Sequence, residues 1–113
     1  MTAIPDIRTL YDAFNRRDID AVLQHLADDV EWPNVLEGRT LHGRDAVRDY
    51  WTRQFEAIDS QVTPRSLDWE GERLVVLVHQ HVRDAATGAE LSNGEVRHVY
   101  EFRDGKIARM TVQ

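Results

Sequence analysis

The sequence predicts an α+β fold, and three observations carry that expectation. Apolar residues recur at helical spacing as far as about residue 55. From about residue 61 they alternate with period two. The helical stretches are therefore segregated from the strands rather than interleaved with them. With 113 residues the chain has the usual size of one domain, long enough for one core and marginal for two.

Pro5 suits a first helical position and Asp6 a first turn. Ile7, Leu10, Tyr11 and Phe14 follow at helical spacing, so a first helix is expected over 5–16. Asp18 caps a short second helix whose buried side is Ile19, Val22, Leu23 and Leu26, stopped at Ala27-Asp28-Asp29. Val30-Glu31-Trp32 reads as a short strand ended by Pro33, and 34–41 as a loop. A third helix over 43–55 buries Val47, Tyr50, Trp51 and Phe55. Residues 61–69 form a strand in which Pro64 marks a bend or a sheet edge. Glu70-Gly71 turns the chain into a long strand over 74–83, apolar on both faces in its first half and therefore central. A turn over 84–88 leads to a final hairpin at Asp104-Gly105. A twisted sheet wrapped around a long helix leaves a cone open at one end, a natural place for a ligand.

The hairpin register decides which face its side chains take. A two-residue turn pairs Phe102 with Ile107 and Tyr100 with Arg109, which mixes apolar and charged groups. A three-residue loop, Arg103-Asp104-Gly105, pairs Phe102 with Lys106, Tyr100 with Ala108 and His98 with Met110. The second register gives an apolar face of Val96, Tyr100, Phe102, Ala108, Met110 and Val112, and is the expected one. It leaves Val99 and Ile107 among charges on the other face. His98 then stands alone among apolar neighbours. A lone imidazole there is either a pocket residue or a satisfied core residue.

Composition excludes several functions. The net charge of −6 lacks the basic footprint that nucleic acid or an anionic membrane needs. There is no cysteine, hence no disulfide, thiolate nucleophile or Cys-ligated zinc. No signal-peptide pattern and no spanning apolar run is read, so a cytoplasmic protein is expected. No Gly-rich phosphate loop is present, Ser60, Ser66 and Ser92 sit in no nucleophile elbow, and no tight metal-ligand spacing occurs. Neither cofactor nor metal is expected.

Four short stretches, in this order, carry a resemblance: Arg17-Asp-Ile-Asp-Ala-Val-Leu23, Ala27-Asp-Asp-Val-Glu-Trp-Pro33, Leu41-His-Gly-Arg-Asp-Ala-Val47 and Phe102-Arg-Asp-Gly-Lys-Ile107. Together they resemble the nuclear-transport-factor-2-like superfamily, in particular its SnoaL-like and steroid-isomerase-like members. The resemblance implies one domain over 1–113. Its expected form is a cone-shaped, cystatin-like roll in which a curved, mainly antiparallel sheet wraps a long N-terminal helix. It also implies an apolar pocket and a homodimer packed through the outer sheet face. The family includes isomerases, cyclases, dehydratases, epoxide hydrolases and non-catalytic modules. The positions where steroid-isomerase-like members carry a base, an oxyanion-binding tyrosine and an oxyanion-binding acid match Trp32, Leu10 and His98 here. The acid of cyclase-like members matches Val112.

His98 is the first candidate for chemistry: an imidazole in a pocket exchanges protons near neutral pH or donates to a developing oxyanion. His79 and His81 alternate with Val75 and Leu77, on the face that the resemblance turns inward. His79 is thus expected beside His98, as a second catalytic group. Trp32, Tyr50, Trp51, Leu77, His81, Tyr100, Met110 and Val112 complete the expected ligand-binding wall, which suits a small apolar molecule. His42 and the aspartates Asp28, Asp29, Asp45 and Asp49 read as structural or solvated. The expected function is a small-molecule pocket protein of the SnoaL-like type. It would act as an isomerase, cyclase or dehydratase on an apolar carbonyl or polycyclic compound. The alternative is a non-catalytic ligand-binding or dimerisation module.

Overall fold

A computed structural model describes residues 7–34 and 37–113. The expectations for Pro5 and Asp6 lie outside them. Helix α1 (Ile7–Asn15) buries Ile7, Leu10 and Tyr11 of the stripe its spacing predicts, with Ala13 buried as well and Phe14 only partly so. Helix α2 (Ile19–Leu23) starts where the Asp18 carboxylate accepts the Ala21 N–H at 3.2 Å. Strand β1 (Leu26–Asn34) follows, then β2 (Arg39–His42), and helix α3 (Arg44–Ala57) with Val47, Tyr50 and Trp51 buried. Gly43, at φ 88°, makes the corner before α3 and donates its N–H to the Val30 carbonyl at 2.8 Å. Strands β3 (Ile58–Glu70), β4 (Arg73–Asp84), β5 (Glu90–Arg103) and β6 (Lys106–Val112) complete the chain.

The six strands form one sheet in the order β2-β1-β6-β5-β4-β3. Every pairing is antiparallel except β1 with β6. Helix α1 packs on β3 and α2, and α3 on β1, β2 and β3. The core lies between helices and sheet and is built from Leu10, Tyr11, Val30, Trp32, Trp51, Val76, Val78, Tyr100, Ile107 and their neighbours. The α+β class predicted from the sequence is the observed one.

Three local expectations change. First, β1 begins at Leu26 and ends past Pro33, and β2 forms inside the expected loop; the two pair from Glu31↔His42 to Asn34↔Arg39. Pro33 is tolerated because an antiparallel ladder leaves alternate N–H groups without a partner on a given side.

Second, the final hairpin turns in two residues. Asp104 and Gly105 both have positive φ, 52° and 77°, as a type I′ turn requires. Phe102 faces Ile107 and Arg103 faces Lys106. The register then shifts by one, with Ala108 as the extra residue, so that Tyr100 meets Met110 and His98 meets Val112. The bulge recovers the apolar face that the two-residue turn alone would lose. It also places Ile107 in the core, 0% exposed, rather than on the outer face.

Third, β4 presents the other set of residues inward. Leu74, Val76 and Val78 lie in the core, paired with Tyr100, His98 and Val96. Val75, Leu77, His79 and His81 therefore point to the outer face. Val75 and Val99 pair there and are both buried, flanked by the ion pairs Arg73–Glu101 at 3.9 Å and Arg97–Glu70 at 3.4 Å.

Candidate functional site

The interior site begins with Tyr11. Helix α1 carries its ring against the inner face of β5, where His98 and Tyr100 stand two residues apart and so share that face. The Tyr11 hydroxyl lies 2.8 Å from His98 Nδ1 and 2.8 Å from the Tyr100 hydroxyl. The Tyr11 and His98 rings stack at 5.9 Å between centroids, and Tyr100 meets His98 edge-on at 6.2 Å. Around this trio, Leu10, Phe14, Val22, Trp32, Trp51 and Val62 close an apolar cavity of about 40 Å³. Trp32 packs edge-on against Trp51 at 5.2 Å and fixes one wall.

Burial sets the charge state of the trio. It lowers the His98 pKa to about 4, so the imidazole is neutral at pH 7. It raises both tyrosines well above the usual phenol range, with the Tyr100 neighbour adding to the effect on Tyr11. Three neutral polar groups thus bond to one another inside an apolar wall. Among the described residues His98 Nε2 has no hydrogen-bond partner. The cavity has room for about one or two waters. Among the described lining residues the polar groups are this trio and the indole N–H groups of Trp32 and Trp51.

The expected pair of His98 and His79 does not form. His79, on the opposite face of β4, bonds through Nε2 to Asn93 Oδ1 at 2.6 Å, and His81 to Glu90 Oε1 at 2.9 Å. Asn93 Nδ2 also donates to Glu90 Oε1 at 3.2 Å, which joins these side chains into one surface chain. Leu77 lies on that outer face too. Trp32, Trp51 and Tyr100 do line the cavity. Tyr50 is buried beside it and accepts from Gln54 Nε2 at 3.1 Å, and Met110 belongs to the core. Val112 is 37% exposed at the end of β6.

The sequence reading missed Tyr11. The resemblance put the tyrosine position of the first helix at its neighbour Leu10. Both side chains are 3% exposed and both line the cavity, so helical spacing could not separate them. The available signal was the hydroxyl itself: a tyrosine on a buried stripe needs a polar partner, and His98 on the inner strand is one.

A second, open groove of about 610 Å³ runs along Glu31, Pro33, Thr40, His42, Arg109, Met110, Thr111 and Val112. It forms where β1 and β6 part after Glu31↔Arg109. Its charges are engaged with one another: Arg109 pairs with Glu31 and Glu101, and His42 Nδ1 lies 3.8 Å from Glu31. Although larger, it offers less to a ligand than the interior cavity with its unpartnered ring nitrogen. The described residues contain no cluster of three metal-ligating side chains.

The chain also matches a known family. The SnoaL-like domain matches over residues 7–110. The chain belongs to the SnoaL-like domain family.

No curated protein matches this SnoaL-like domain. Solved structures do. A nuclear-transport-factor-2-like protein of unknown function from Burkholderia pseudomallei is 31% identical, with a TM-score of 0.83 over 95% of this chain and 86% of the other. TerC, co-crystallised with polyporic acid, is 26% identical, with a TM-score of 0.81 over 95% and 86%. A proposed polyketide cyclase from Xanthomonas campestris pv. campestris is 26% identical, with a TM-score of 0.79 over 94% and 84%. Among the described residues the cavity lining of this SnoaL-like domain holds no acidic side chain; its ionisable groups there are Tyr11, His98 and Tyr100.

Proposed function

We propose that this SnoaL-like domain binds a small, largely apolar molecule carrying an oxygen function in the Tyr11–His98–Tyr100 cavity, and that His98 is the group that exchanges or shares a proton with it. One observation carries the reading. His98 is a neutral imidazole with Nδ1 tied to Tyr11 and Nε2 without a partner among the described residues, in an otherwise apolar cavity. Isomerisation, cyclisation and dehydration of a carbonyl compound all need such a group near the oxygen or the acidic carbon. The likeness to TerC and to a proposed polyketide cyclase supports the same class of ligand.

The cavity size narrows the ligand. Pockets for drug-sized molecules span roughly 300–1,000 Å³, and this one is about 40 Å³. A polycyclic compound requires Phe14, Trp32 or Trp51 to move; a small carbonyl compound requires less. The second reading, a non-catalytic binding or dimerisation module, draws on the same small volume and on the absence of an acid in the lining. The reading further takes the protein to act as a cytoplasmic homodimer paired through the outer sheet face.

Thermal-shift titration with polyporic acid and a panel of small ketones tests binding, since a ligand of the folded state raises Tm. Turnover of any ketone that binds then separates the two readings. Loss of turnover in His98→Gln with the Tm shift retained supports the enzyme. Binding with no turnover and no proton exchange by the wild type leaves the module. Because His98 stays neutral from pH 5 to 8, the rate is expected to be flat over that range. A midpoint near 6.5, the ordinary histidine value, removes His98 from the reaction.

A further inference from the structure

We infer that Tyr11 is a positioning residue that fixes His98 as the Nε2–H tautomer, so that the ring offers an N–H donor and favours ligands with a hydrogen-bond-accepting oxygen. The inference rests on the reading of this cavity as the ligand site, and it deepens that reading by giving His98 the part of donor rather than base.

Tyr11, Tyr100 and His98 carry one exchangeable proton each. Two contacts of 2.8 Å connect three neutral groups: Tyr100 to Tyr11, and Tyr11 to His98 Nδ1. Each contact needs one proton, and the Tyr11 hydroxyl has one to give. If Tyr11 donates to Tyr100, then His98 must donate from Nδ1 to Tyr11. The Tyr100 proton is then left over. Tyr100 is 1% exposed, and its hydroxyl has no other partner among the described residues, so that proton would be buried without an acceptor. The opposite order puts the spare proton on Nε2 of His98, a side chain only partly buried, where water or a ligand can accept it. Tyr100 donates to Tyr11, Tyr11 donates to Nδ1, and the imidazole proton sits on Nε2.

The order also strengthens the donor. A hydroxyl that accepts from Tyr100 is polarised toward giving its own proton, and Nδ1, by accepting it, draws density from the ring. An Nε2–H without a partner among the described residues gains most from a ligand oxygen and nothing from a ligand N–H or O–H. The donor polarises a carbonyl and stabilises negative charge on its oxygen. No lone pair remains on the ring for abstracting a proton at Nε2.

The test is a long-range ¹H–¹⁵N spectrum of the ligand-free protein at pH 7, with the His98 signals assigned by their loss in His98→Gln. The expected pattern is an unprotonated Nδ1 and a protonated Nε2 for His98. A protonated Nδ1 in the wild type overturns the inference. Tyr100→Phe is expected to keep the Nε2–H pattern, because the Tyr11 proton then has only His98 to go to. The opposite order predicts a switch in that variant. Tyr11→Phe is expected to lose the single-tautomer pattern, a change that a purely structural role for Tyr11 does not produce.

Ligand selection is read with cyclohexanone against methylenecyclohexane, which has the same shape and no oxygen. Cyclohexanone is expected to move the Nε2–H resonance and to bind about tenfold tighter, the worth of one hydrogen bond. That preference is expected to vanish in Tyr11→Phe. Equal binding of the two by the wild type overturns the selection. Neither compound binding, with Nε2 protonated, overturns the binding reading and leaves the positioning role of Tyr11 standing.

Discussion

His98 couples the interior to solution pH, and the sign of the coupling follows from burial. Unfolded, the ring titrates near 6.5; folded, at about 4. Above pH 6.5 both states are neutral there and the linkage is silent. Between 6.5 and 4 the unfolded chain takes up a proton that the folded protein refuses. Stability is therefore lost as pH falls through that window, by at most about 3 kcal/mol. Urea denaturation at pH 7 and pH 4.5 is expected to show a larger drop for the wild type than for His98→Gln; equal drops count against a buried neutral His98. Tyr11→Phe leaves Nδ1 and the Tyr100 hydroxyl without their shared partner and is expected to cost about 1–3 kcal/mol in the same assay. At this scale His98 was legible from its place among apolar alternating residues. Tyr11 was not, because Leu10 and Tyr11 lie side by side on one buried helix stripe. The partner that distinguishes them is 87 residues away in sequence.

Elements were legible wherever a single face had to be buried, as in α1 and α3. They were less so where both faces are apolar. In β4 the run Leu74–Val78 is buried on both sides of the sheet, so alternation alone gives two equal choices of inner face. The helices settle it by packing on the even residues, which sends His79 and His81 to the outer face. The hairpin misled for a different reason: a one-residue bulge at Ala108 is invisible to a pattern that assumes constant register. The observed turn makes its own prediction. Gly105 holds φ 77°, and Gly105→Ala is expected to lose about 1–2 kcal/mol, the usual penalty of left-handed backbone with a Cβ. An unchanged denaturation midpoint argues against the I′ turn. Helix α1 is clasped to the sheet by Asn15, whose Nδ2 donates to the Val62 carbonyl at 2.8 Å and whose Oδ1 accepts the Val62 N–H at 2.9 Å. Asn15→Ala is expected to cost about 1–3 kcal/mol and to speed amide exchange at Val62.

At the scale of the molecule, the parallel β1–β6 pair inserts the earliest strand beside the last, so the sheet's middle is completed only when both chain halves are present. Helix-then-sheet order was legible in the sequence; this crossover was not, since nothing local marks which strands will be neighbours. The proposed homodimer belongs here as well. The residues first expected to form its face, Val99 and Ile107, are both buried within one chain. The remaining outer face is mostly charged, with Leu77 half-buried between Val75 and His79. Sedimentation equilibrium is expected to show a dimer at micromolar concentration that Leu77→Glu shifts to monomer. A monomeric wild type removes the dimer from the reading.

The Asn15 clasp has a consequence beyond docking. β3 is an outermost strand of 13 residues, long enough to recruit a strand from another molecule and seed fibrils. Asn15 occupies the outward N–H and C=O of Val62. Two residues on, Pro64 has no N–H to offer, and the register breaks between Pro64 and Ser66. The side chain that anchors the helix thus also occupies backbone groups that a further strand would need, beside the stretch that proline and the bulge already interrupt.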